Sequence, residues 1–495
     1  FDILFSPFSK MKTFTAEEVA KHNKESDCWL VIAGHIYDVT DFLDGHPGGR
    51  QTILRVAGQD ATDLFTRLHA PVVLTQYGPK LCIGQVAGFK PKPQPPDDGS
   101  FGDRVPFGDP YWYNGKMRSP FYKETHRQFR AKVRKFVDEE VMPNIDKWED
   151  QKDYPADMHV RAYKAGIYGA IWPKEFGGTP PEDFDMFHDL IMVDELARCG
   201  AGGILWACFF SFGISLPPVL RHGSKFLKDL VARDVISGKK IMSLAVTEPY
   251  VGSDVAGLRT TAVDAGEDYI VTGEKKFITS GMKANYFTTA VRTGGKGIGG
   301  ISLLLIPADL PGIGLRKLKT QGWWMSNTAY ITFDNVRVPK KYLIGQENKG
   351  FWPVMENFNH ERFVLGATSN RYARCCIEDA ITFARKRKTF GVRLIDHQVI
   401  RHKIAEMVRR VESTQALIEQ TAFQMSQGVS DRVLGGPIAL LKVQCTKTME
   451  FCAREASQIL GGSSYIRSGN GGRIERLYRE VRVNAIGGGS EEILM

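Results

Sequence analysis

The sequence predicts a multidomain chain: a small α+β domain at the front, then a larger unit that runs helical, sheet, helical. Three observations predict it. A proline-rich polar stretch, "KPKPQPPDDGS" (90–100), cannot pack and reads as a semi-rigid spacer behind a short front domain. Ahead of it, over 11–89, strand patterns such as "CWLVIAGHIYDVT" alternate with helical pieces. Behind it, helical periodicity over about 119–240 yields to strands and turns over 241–345, then returns as long amphipathic helices over 350–425 and 436–462.

Taken in order, the elements divide the chain at 11–89, a linker at 90–110, a helical domain at 111–240, a β domain at 241–348 and a helical domain at 349–495. A chain of 495 residues has length for several cores, and 43% hydrophobic with 24% charged residues is ordinary globular composition. The net charge of +9 favours anionic ligands such as a phosphate-bearing one. No basic stripe interleaved with aromatics is present, so no nucleic-acid partner is expected. Eight cysteines fall in no disulfide or zinc spacing, which suits buried thiols in a reducing compartment. The run "ILWACFFSFGISLPPVL" (204–220) stops at Pro217-Pro218, short of the about 20 residues of a membrane span, and reads as a buried helix. "MKTFTAEEVAKHN" from Met11 reads like a natural beginning, with Thr15 capping a helix, so residues 1–10 read as extraneous. No secretory signal is visible, and the ending "SEEILM" suggests a last domain cut short, together with any C-terminal address.

The stretch "DGHPGGRQTI" (44–53) leaves a histidine at the mouth of a helix. Its candidate partner, His69, follows after a helix–turn–helix pattern, with Phe42, Ile53 and Phe65 placed to line an apolar slot between the two rings. Paired imidazoles across such a slot suit a haem iron; two ordinary surface histidines are the alternative. "DFLDGHPGG", "AGQDATDLF" and "LHAP" together resemble the cytochrome b5 family over residues 11–89. The resemblance implies haem b ligated by His46 and His69, with Tyr77 hydrogen-bonded to a propionate. Bis-imidazole ligation leaves no open position, so such a haem carries single electrons.

"LAVTEPYVGSDVAG" (244–257) joins a strand to a glycine-bearing loop, and Thr247 and Ser253 offer hydroxyl donors there. "GEKKFITSG" (273–281) sets Phe277 and Thr279 on one strand, fit for a flat aromatic cofactor. A turn and an ordinary hairpin would look similar. In this order, with "ARKRKTFG", "DHQVIRHKIAEM" and "QILGGSSY", the stretches are similar to the acyl-CoA dehydrogenase family over about 110–495. That family's fold is a helical N-terminal domain, a middle β-barrel-like domain and a C-terminal four-helix bundle.

The resemblance implies FAD. Thr247 would bond the flavin pyrimidine edge, Ser253 the phosphates, Phe277 would pack on the isoalloxazine and Thr279 would face its N5. Arg387, Gln398 and Gln458 through Gly462, including Ile459 and Gly461, would bind the adenosine half, partly from a neighbouring subunit. That implies a homodimer or homotetramer. Gly252, Ile278, Thr389, Phe390 and Ser490 complete the implied cofactor set.

Removing an α proton while a β hydride leaves needs a carboxylate base and donors at the thioester carbonyl. Many family members carry that base in the loop matched here by "IGGGSEE", but the aligned position is Gly488. Glu491 and Glu492 lie beyond it. A second branch carries the base on a helix, and "NHERFVLGA" (359–367) matches it with Glu361, beside Arg362. A surface carboxylate is the alternative for Glu361; the missing acid at 488 favours the base. Gly488 would then offer its N–H to the carbonyl.

The expected activity is α,β-dehydrogenation of an acyl-CoA, in fatty acid β-oxidation or related acyl catabolism, with electrons passed to the fused haem. The opposing readings are an oxidase or hydroxylase that uses oxygen, and a haem carrier on an inactive scaffold. An electron-transferring flavoprotein or oxygen are the external acceptors to consider. Long or branched acyl chains are expected, in a pocket shaped by the 204–220 helix. The location is expected to be intracellular, tilting to a peroxisome over mitochondrion or cytoplasm.

Overall fold

A computed structural model describes residues 12–69, 72–89, 105–113 and 118–495. The front domain is a five-stranded sheet in the order Thr13–Phe14, Cys82–Val86, His35–Asp38, Asp27–Ile32, Asn23–Lys24. Its first two strands pair parallel and the others antiparallel. Ala33 and Gly34, at φ of 50° and 78°, turn the central hairpin. Thr15 caps the helix Ala16–Val19 in a capping box with Glu18. The core under the sheet holds Leu43, Ile53, Ala57, Ala61 and Leu74, with Phe42 and Phe65 at its rim. That rim is the slot the two histidines need.

Of the linker drawn at 90–110, residues 90–104 lie outside the described residues, and 105–110 pack on the dehydrogenase-like body. Asp109 accepts from Arg134 and Arg371, and these arginines also bind Glu195 and Asp194. Opposite charges on both sides satisfy a cluster that would otherwise be costly to bury.

The middle domain is an eight-stranded sheet with Asp268–Ile278 and Ala329–Pro339 as its longest pair. The final domain packs four long helices, Phe351–Lys386, Gln398–Ser426, Asp431–Leu460 and Gly472–Ile486. The helical stretch read over 350–425 is interrupted at 387–397 by a small hairpin, Lys388–Thr389 with Val392–Arg393, where Gly391 takes φ of 83°. The stretch read from 436 starts earlier, at Asp431, and accommodates Pro437 within it. The apolar stretch Gly202–His222 is long enough to cross a membrane, but 83% of its most apolar window is buried inside the protein. It contains a wide-turn segment, Leu205–Phe210, all of whose side chains are buried. All eight cysteines are free thiols, seven buried and Cys82 half-buried.

The front domain touches the final one. Helix Thr62–Leu68, which ends at His69, lies against the Gly469–Gly471 turn, and Asn470 Nδ2 donates to Thr66 O at 3.4 Å.

Candidate active site and haem site

Gly49, at φ of 80°, starts the helix Arg50–Leu54 and leaves His46 just ahead of it. A Cβ at Gly48 would stand 2.8 Å from His46 Cε1, so any side chain there would push the ring from this position. The His46 and His69 ring centroids are 5.9 Å apart. Two imidazole nitrogens about 2 Å from a shared metal would separate the centroids by about 6 Å. His46 Nδ1 bonds Gly49 O and His69 Nδ1 bonds Phe65 O, each at 3.3 Å. A carbonyl only accepts, so each Nδ1 carries the proton and each Nε2 keeps its lone pair for metal. Burial holds His69 below its ordinary pKa, against its bond to Phe65 O and with His46 beside it, which favours the neutral ligand form. Phe65 stacks on His69 at 4.5 Å, and Phe42 spans between His46 and Tyr77. Tyr77 is partly exposed at the edge, where a propionate would lie.

Another histidine–carboxylate cluster, His126, Asp185 and His188, has metal-like spacing. It serves the backbone instead. His126 Nδ1 accepts from Lys123 N at 2.8 Å, so its Nε2–H donates to Asp185, and Asp185 N donates to His188 Nδ1. Both rings cap helices.

Glu361 sits in the long helix Phe351–Lys386 with Oε2 shielded from solvent and without a hydrogen-bond partner. Burial pushes its carboxyl up to about 7, although Arg362, Lys442 and His360 pull the other way. Arg362 Nε donates to Gly488 O at 2.8 Å, fastening the glycine turn to the helix that carries the acid. Gly488 has φ of 69°, and a Cβ there would lie 2.8 Å from Leu365 Cδ1. Lys442, fully buried, donates to Ala485 O and Gly489 O at 2.5 and 2.8 Å. Burial lowers its pKa to about 8, with Glu491 and Glu361 opposing. Of the other acids, Glu492 is exposed, and Glu491 meets Lys447 at 3.4 Å.

The sheet supplies the second wall. Glu248 and Lys275 form a buried pair at 2.8 Å, and Lys275 also bonds Val246 O at 3.0 Å, which pins the 246–251 loop to strand Asp268–Ile278. Thr247 stands half-buried on that loop, and Gly252 and Ser253 lie exposed beyond it. Phe277 takes φ of 63°, which a bulky residue adopts only under constraint, and holds its ring 59% exposed at the strand end. Thr279 follows half-buried, while the Ile278 side chain packs in the sheet core and leaves only backbone for a ligand.

At one end of the bundle, Arg387, Thr389 and Phe390 on the hairpin lie near Gln398 at the start of its helix. Thr389 Oγ1 pairs with His397 Nε2 at 2.9 Å. A Lys403–Glu455 pair brings the Gln458–Gly462 segment to the same end. Gln458, Gly461 and Gly462 are exposed, Ile459 is buried, and no atom lies within 4 Å of a Cβ at either glycine. Ser490 precedes the short helix Glu491–Leu494, away from this end.

Three domains match descriptions of the acyl-CoA dehydrogenase: its N-terminal domain over 123–239, middle domain over 243–336 and C-terminal domain over 348–495. An acyl-CoA dehydrogenase of Alternaria alternata is 42% identical over 80% of this chain and 95% of its own. The chain belongs to the acyl-CoA dehydrogenase family. Residues 15–87 match the cytochrome b5-like haem/steroid binding domain. The mitochondrial long-chain specific acyl-CoA dehydrogenase of Mus musculus is 29% identical over 75% of this chain and 85% of its own. The solved acyl-CoA dehydrogenase of Geobacillus kaustophilus superposes with a TM-score of 0.72 at 28% identity, covering 76% of this chain and 97% of that one.

This acyl-CoA dehydrogenase is an oxidoreductase whose family binds FAD and whose front domain is of a haem-binding type. The residues present fit both groups. The imidazoles at 46 and 69 lie a metal-compatible 5.9 Å apart with each Nε2 free of the backbone bond that Nδ1 makes, and the residues the family resemblance assigns to flavin include an outward Phe277 and glycines with open space above them. Sequence reasoning missed Lys442, Lys275 and Glu248. A lysine or acid inside an apolar helix or strand pattern was the available signal, since such residues are rarely buried unless paired.

Proposed function

We propose that this enzyme desaturates a long or branched acyl-CoA between its α and β carbons and passes the electrons to its own haem. The carrying observation is the shielded, unpartnered Oε2 of Glu361 in a half-buried carboxyl, whose pKa of about 7 suits a base that must be charged at rest yet accept a proton. Its Oε2 takes the α proton. The Gly488 N–H donates to the thioester carbonyl as charge develops there. Arg362 holds that turn in place, and Lys442 fixes its flanking carbonyls. FAD supplies the acceptor for the β hydride, and bis-imidazole haem supplies one-electron transfer.

The contact of the Thr62–Leu68 helix with Asn470 supports the haem step, because that turn follows the Gln458–Gly462 segment assigned to FAD. Phe390 at 98% and Tyr465 at 91% exposure favour a homo-oligomer that covers them. Anaerobic mixing with acyl-CoAs of graded length tests the whole scheme. Flavin bleaching followed by haem reduction is the expected outcome. Bleaching with no haem reduction would replace the haem step, with an oxidase if peroxide then forms in air and with an external acceptor if it does not; no bleaching would reject dehydrogenation.

A further inference from the structure

His69 leaves the C-terminal end of a helix of only seven residues, Thr62–Leu68. A helix that short is marginal by itself, and the carbonyls of its last turn have no partner inside it. Phe65 O takes two bonds from His69, the backbone N–H at 2.9 Å and the Nδ1–H at 3.3 Å. A hydrogen bond at the second ring nitrogen sets the plane of a metal-bound imidazole. The orientation of this ligand is therefore only as firm as the last turn of its helix.

That turn is finished by the other domain. Asn470 Nδ2 donates to Thr66 O at 3.4 Å; a carbonyl only accepts, so the amide nitrogen must face it. Beside it Gly469 takes φ of 73°, and Leu68 O lies 3.5 Å from where its Cβ would stand. Leu68 C=O belongs to the peptide bond that enters His69. The dehydrogenase body thus meets the helix at the carbonyl after Phe65 and at the one before His69.

The turn that makes these contacts is clamped on both sides. Ahead of it, Arg467 pairs with Asp150 at 2.9 Å and lies 4.4 Å over the Trp324 ring. Behind it, Arg473 is held by Asp379 and Glu378. The chain is exposed over 465–469 and becomes half-buried at Asn470, where it reaches the helix. A donor presented on a turn already fixed loses little freedom when it bonds.

We propose that Asn470 is a positioning residue for the haem: it closes the last turn of the helix that presents His69, so the dehydrogenase body sets the plane of an axial imidazole in the domain docked on it. The proposal rests on the reading of His46 and His69 as haem ligands. Docking then does more than shorten the path of an electron. It selects one ligand geometry, with the two rings inclined by 44°, from those an unfinished helix end would sample.

The test uses the full-length holoprotein and three variants. Asn470→Asp keeps the shape and loses both N–H donors, Asn470→Ala loses them without adding charge, and Asn470→Gln keeps an amide on a longer arm. The low-spin electron paramagnetic resonance signal reads the angle between the imidazole planes, and transfer to apomyoglobin reads how firmly haem is held. Asp and Ala should shift or broaden the signal and speed haem transfer about twofold to tenfold, the worth of one hydrogen bond. Gln should restore part of both. Flavin bleaching by acyl-CoA should stay unchanged in all three, and haem reduction after it should slow in Asp and Ala. A wild-type signal and transfer rate in both Asp and Ala would overturn the proposal. Slower haem reduction with an unchanged signal would also overturn it, leaving Asn470 a docking contact with no hold on His69. No low-spin signal from the wild type would reject the ligand pair and this proposal with it. Bleaching without haem reduction in the wild type would instead reject only the haem as acceptor, and the signal would still decide the role of Asn470.

Discussion

On the proposed reading, the chemistry at Glu361 depends on a single proton. Burial holds the carboxyl near pH 7, so below that pH the base is protonated and idle. kcat/KM should therefore fall about tenfold per unit as the pH drops below about 7, read from the acid limb of its pH profile. Glu361→Gln should keep FAD, by its visible spectrum, and lose turnover by roughly three orders of magnitude or more. Lys442 acts on the same proton from inside the bundle. Lys442→Met removes a cation that lowers the pKa of Glu361, and the limb should move to higher pH by about one unit. Lys442→Arg should restore part of the shift, which a merely structural role would not do. Glu361 was legible in the sequence from its motif neighbours. Lys442 was not, because nothing in a helical pattern tells which of two bundle faces a lone lysine occupies.

At the scale of elements, two glycine turns hold the reacting groups and both were visible as strings before folding. "HPGG" places His46 and "IGGG" places the Gly488 N–H. A methyl at Gly48 would displace the His46 ring, so Gly48→Ala should broaden or shift the low-spin haem spectrum while the domain stays folded. Gly488→Ala meets Leu365 at a left-handed backbone position and should cost about 1–2 kcal/mol at the turn, lowering kcat more than FAD content. The long helices were legible from periodicity, but the hairpin at 387–397 was not. Its residues, "RKTFGVRLIDH", continue a charged amphipathic texture, while Arg387 turns extended to end the helix and the left-handed Phe390 and Gly391 form the hairpin's turn. The Asp189–His360 pair was equally hidden, since the two residues are 171 apart in sequence and meet only by packing.

For the whole molecule, the exposed Phe390 and Tyr465 flank the segments assigned to the adenosine half of FAD. If a second subunit covers them, Tyr465→Asp, at a residue outside those assigned to FAD, should lower the sedimentation coefficient and weaken FAD retention by roughly tenfold together. Coupled loss is the informative result, because dissociation without FAD loss would mean that each subunit's FAD site is whole on its own. The front domain's contact with the Gly469–Gly471 turn belongs to this scale too: a spacer can permit approach, and only the folded surfaces select where the haem domain rests.

The sequence by itself determined the order of domains, the two imidazoles, the loops assigned to flavin and the helix that bears Glu361. Each of these is carried by residues close together along the chain, where local sterics and periodicity speak directly. Tertiary structure decided which charges surround Glu361, how Asp189 and His360 pair and where the two modules touch. Those depend on burial and on side chains from distant segments meeting, and the free energy of a charge or a hydrogen bond is set by that surrounding, not by its neighbours in sequence.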